Sequence, residues 1–74
     1  MKKMIQIIER QIEHIEITFN TMVKNNEITI ERHNIFIGRL TELLVILDLL
    51  NIRDKDLYND IKEEIEMKIY YMKM

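Results

Sequence analysis

The groups that could do chemistry in this 74-residue chain are two histidines, 13 carboxylates, 11 cations and three tyrosines. Their spacing assembles no catalyst. The chain has neither cysteine nor serine, which removes the two commonest nucleophiles, thiolate metal sites and disulfides. His14 and His33 stand 19 residues apart, on different expected helices. Carboxylate-bridged metal bundles place a glutamate three residues before each histidine. Gln11 and Ile30 occupy those places here. His14 reads as a solvated residue, and His33 as a residue at the start of an apolar stripe. With a single glycine in the chain there is no glycine-rich phosphate loop. The residues therefore predict no catalysis, no metal and no cofactor.

The remaining charges read as pairing or recognition groups. Glu9, Glu13 and Glu16 flank one side of a helical stripe. They form either an acidic recognition edge or, as the favoured reading, charges that pair with a neighbouring helix. Arg32 and Arg39, seven residues apart, line one edge of a second apolar arc. Ion pairs with the glutamates of the first helix, with the arginine stems lying on the core, are expected of them. The sharper alternative is a basic clamp for a partner's carboxylate or phosphate. Met67, Tyr70 and Tyr71 lie off the last stripe, and both residue types are enriched at adaptable binding surfaces.

Positioning these groups falls to helices. Met1, Ile5, Ile8, Ile12, Ile15, Phe19 and Met22 are spaced 4, 3, 4, 3, 4, 3, an unbroken heptad pattern that predicts a helix over 2–24. Lys24-Asn25-Asn26-Glu27 is the first break, because asparagine tolerates the left-handed region and ends helices. Thr29 is the expected N-cap of a second helix over 29–51, with Glu31 in its first turn. Asn51 to Asp56 is the second break, and Asp54 the expected cap of a third helix over 54–73. Leu57, Tyr58, Ile61, Ile65, Ile69 and Met72 form its stripe.

The second helix is the apolar centre. At 100° per residue, Ile30, His33, Phe36, Ile37, Leu40, Leu43, Leu44, Ile46, Leu47 and Leu50 fill an arc of about 200°, enough for two neighbouring helices. Ile35, Val45 and Leu49 fall on the opposite side with Gly38 and Asp48, where a monomer exposes them. Apolar surplus on a polar face marks an interface. Gly38 in mid-helix costs up to about 1 kcal/mol relative to alanine, which a close helix crossing would explain.

The fold class that follows is all-α: a three-helix antiparallel bundle, a long hairpin plus a third helix, forming a homodimer. The alternative topology swaps the third helix onto a second protomer. A core this small needs a staple, and with no cysteine, association is the staple left. The expected interface is Ile35, Gly38, Val45, Asp48, Leu49, Met67, Tyr70 and Tyr71, with charged contacts from Arg32, Arg39, Glu9, Glu13 and Glu16. The net charge of −2 gives no general attraction to nucleic acid or anionic membranes. Lys2 and Lys3 precede an apolar run that Glu9 and Arg10 cut too short for a signal peptide. Arg39, Glu42 and Asp48 put too much charge into the central helix for a membrane span. A cytoplasmic location is expected.

Fifteen isoleucines, no alanine and an excess of residue types encoded by A/T-rich codons (Ile, Lys, Asn, Glu and Met) point to a low-GC bacterium, its phage or a mobile element. The function expected is a protein-binding module: an adaptor, inhibitor or regulator. A DNA-binding transcriptional regulator is the competing class, weakened by long helices and dispersed basic residues. An assembly accessory would use the same surfaces in a larger array.

Overall fold

The computed structural model describes residues 2–73 as three α-helices: α1 (Lys2–Lys24), α2 (Ile30–Leu49) and α3 (Lys55–Lys73). Met1, which the spacing places on the first stripe, and Met74 lie outside the described residues. Each helix ends for a local reason. Asn26 takes φ 58°, and the Glu27 N–H reaches the Met22 carbonyl at 2.8 Å while the Asn26 N–H reaches Val23 at 3.1 Å. That pair of bonds around a left-handed residue satisfies carbonyls the last turn of α1 would leave bare. Thr29 is extended and its Oγ1 accepts the Arg32 N–H at 3.1 Å. Asn51, at φ 54°, ends α2 in the same left-handed way. Asp54 Oδ1 then accepts the Leu57 N–H at 3.1 Å and opens α3. Both expected caps are the observed ones.

The core is one cluster: Ile5, Ile8, Ile12 and Ile15 of α1, Phe36, Leu40, Leu43 and Leu47 of α2, and Ile61, Ile65 and Met72 of α3. Each fully buried isoleucine or leucine contributes roughly 1.5–3 kcal/mol of transfer free energy. All three helices touch one another, with α2 and α3 approaching most closely and α1 and α3 least. The contacts set the course of the chain. Phe19, late in α1, meets Phe36 edge-on and lies beside His33, both at 5.7 Å between ring centroids and both early in α2. His33 Nε2 donates to the Met72 carbonyl in the last turn of α3. At the other end, the Tyr58 hydroxyl, early in α3, donates to Asp48, late in α2. The molecule is a rod of 41 × 19 × 16 Å.

The apolar arc of α2 is narrower than its sequence suggests. Ile30 is 81% exposed and Ile46 40% exposed. Ile30 is the first helical residue, at the open wall of a cleft rather than in the packed core, and Ile46 sits at the rim of the arc. Four residues spaced 4, 3, 4, from Phe36 to Leu47, carry the burial, with Ile37, Leu44 and Leu50 half-buried beside them.

Candidate interaction surfaces

The outward face of α2 is built by a second periodicity laid over the first. Ile35, Gly38, Glu42, Val45 and Leu49 are spaced 3, 4, 3, 4 and fall within about 80° of one another around the helix. All five are exposed, the apolar ones at 48%, 55% and 78% for Ile35, Val45 and Leu49. A helix with apolar stripes on two opposite sides has buried only one of them. A Cβ placed on Gly38 would meet nothing within 4 Å. No crossing within the chain uses the space that this glycine leaves.

The charges distribute differently from the expected pattern. Glu16 pairs with Lys68 of α3, so the acidic edge of α1 turns toward α3. Arg32 and Arg39 lie on α2 and reach none of the glutamates of α1; among the described residues, Glu16–Lys68 is the ion pair within 4.0 Å. The expected Arg32 and Arg39 pairs with α1 are therefore absent, and Glu9 and Glu13 face solvent. Which edge of α1 meets which neighbour depends on the hand in which three helices wind, and the stripes do not specify it. Asp48 is also drawn away from the outward stripe of α2. Its carboxylate accepts the Tyr58 hydroxyl in a cleft of about 500 Å³ that Asn51, Lys55 and Lys62 also line. The hydrogen bond to Asp48, with desolvation and the Asp48 charge behind it, holds the Tyr58 hydroxyl above the ordinary value of 10.0. The Lys62 ammonium stands 5.9 Å from the Tyr58 ring centroid.

Met67, Tyr70 and Tyr71 are exposed, but on α3 and on a different face from Ile35, Val45 and Leu49. Met67 and Tyr71 border a cleft of about 360 Å³ with Glu16 and Phe19. Tyr71 also borders a second cleft, about 400 Å³, walled by Val23, Ile28, Ile30 and His33. The expected interface is thus two surfaces. His33, Tyr58 and Lys68 tie the helices together, and nothing in their local sequence announces partners 39, 10 and 52 residues away.

Among the described residues no group of three or more His, Asp or Glu side chains is placed to hold a metal ion. Among those residues, too, no helix is long and apolar enough to cross a membrane. Comparison with protein-family models, curated proteins and solved structures finds no match to the chain.

Proposed function

We propose that this chain is a protein-binding module that works by docking rather than by catalysis, in the manner of an adaptor, inhibitor or regulator. The observation that carries the reading is the outward stripe of α2. Three large aliphatic side chains share one exposed face with a glycine that nothing in the chain approaches. Exposed apolar side chains scattered singly need no explanation, but a periodic row on one helix does. The reading includes an antiparallel course for the three helices, a homodimeric state and a cytoplasmic setting, in a low-GC bacterium, its phage or a mobile element.

Mass in solution tests it first. A dimer has twice the 9.1 kDa chain mass in light scattering. Val45→Lys combined with Leu49→Lys is expected to give a helical, folded chain of single mass, because neither residue supports the core. A dimer that survives both lysines would remove the outward stripe of α2 from the interface.

A further inference from the structure

We infer that the occupant of the α2 stripe is a second copy of this chain, laid with α2 against α2 in opposite directions about a two-fold axis at the level of Leu40. The inference rests on the docking reading above and gives it a partner and a register. The stripe is symmetric about Leu40. Ile35 and Val45 stand five residues to either side of it, Gly38 and Glu42 two, and Glu31 and Leu49 nine. In an antiparallel helix pair, the alternating positions of one heptad stripe face each other in this crossed way. Ile35 then packs on the partner's Val45, and each Glu42 stands over the partner's Gly38.

The central layer is where the register shows. Glutamate in an apolar seam is costly unless it is paired. The missing Cβ of Gly38 leaves room for the opposing Glu42, and Arg39, next to Gly38 in sequence and bordering the stripe, supplies the cation. Arg39 has no ion pair within 4.0 Å among the described residues of its own chain. Two copies give two such Glu42–Arg39 pairs, related by the axis. A parallel pairing fails on the same residues: it sets Glu42 against Glu42 and leaves Gly38 facing Gly38 across a gap.

The chain exposes 5887 Å², roughly 1,000 Å² more than the surface scaling gives for a compact chain of its mass, as expected of a rod of 41 × 19 × 16 Å. A stable association removes about 800 Å² from each partner. The stripe from Glu31 to Leu49 runs about 27 Å along the helix.

The absence of cysteine makes the register directly testable. In the proposed dimer, residue 35 and its own copy lie about 15 Å apart along the axis, as do residue 45 and its copy. That is beyond the ~7 Å Cα separation a disulfide spans. Ile35→Cys alone and Val45→Cys alone should therefore stay uncross-linked on mild oxidation. An equimolar mixture of the two should give a covalent dimer in high yield, and so should the double variant. Both sites are exposed, and circular dichroism checks that the variants keep their helices. A chain that stays monomeric throughout overturns the self-docking and leaves the stripe to another protein. A dimer in which Ile35→Cys links to itself overturns the register and keeps the docking reading. A dimer that cross-links in no combination places the seam elsewhere. Charge reversal reads the same layer: Arg39→Glu should weaken the dimer at least tenfold, and adding Glu42→Arg should restore it.

Discussion

At the scale of single residues, Gly38 separates two kinds of cost. Its backbone is helical and the space around it is open within the chain. Gly38→Ala is therefore expected to stabilise the isolated chain by about 0.5–1 kcal/mol, through helix propensity alone. Urea unfolding at a concentration low enough to keep the chain monomeric measures this. At high concentration the gain should shrink, because the added methyl takes space from the opposing Glu42. A gain equal at both concentrations would show that nothing docks over Gly38. The caps were legible in the sequence for a comparable local reason. Thr29, Asp54, Asn26 and Asn51 act within a few residues of themselves, so their chemistry is written where it is used. The partners of His33, Tyr58 and Lys68 were not legible, since those pairings exist only after helices distant in sequence come together.

At the scale of elements, α2 carries two stripes with unlike energetics. Leu47 is fully buried, and Leu47→Ala is expected to cost about 2–5 kcal/mol. Leu49, two residues on and 78% exposed, should cost the isolated chain less than about 0.5 kcal/mol when changed to alanine. Thermal or urea unfolding of the two variants side by side checks the contrast; equal losses would mean that α2 is buried on both sides within one chain. The outward stripe was readable because periodicity survives any packing arrangement. The width of the inward one was overstated, since an angular plot treats α2 as endless. Ile30, on its first turn, is 81% exposed where the helix begins. Ile46 falls on the rim, between the core and solvent, and is 40% exposed. The arginine pairs were misassigned for a further reason. Arg32 and Arg39 mark an edge of α2, but only the winding of the bundle decides what that edge meets.

At the scale of the whole molecule, a rod of 41 × 19 × 16 Å has little interior to spend on polar side chains, and none is buried among the described residues. Its polar ties sit at or near the surface. Glu16–Lys68 is about a third exposed and falls in the range of 0–1 kcal/mol typical of such pairs. What remains is the pair of hydrogen bonds that joins α2 to α3 at its two ends, Tyr58 to Asp48 and His33 to Met72. The Tyr58 hydroxyl ionises above its ordinary value because Asp48 accepts a hydrogen bond from its neutral form in the folded chain. A raised native value means that this contribution is complete below the ordinary tyrosine range and is lost as pH rises through the native one. The Tyr58 contribution to tyrosinate absorbance, read as the difference from Tyr58→Phe, should therefore fall above the ordinary tyrosine value and move back toward it in Asp48→Asn; a difference unmoved by Asp48→Asn would disconnect it from Asp48.

The other end is held by His33. The Met72 carbonyl can only accept, so His33 must present a proton on Nε2. Alkali strips the donor from the Tyr58 end of the α2–α3 pair. The two ties are therefore unlike in kind: one hangs on a hydroxyl that alkali removes, the other on a ring that also packs beside Phe19.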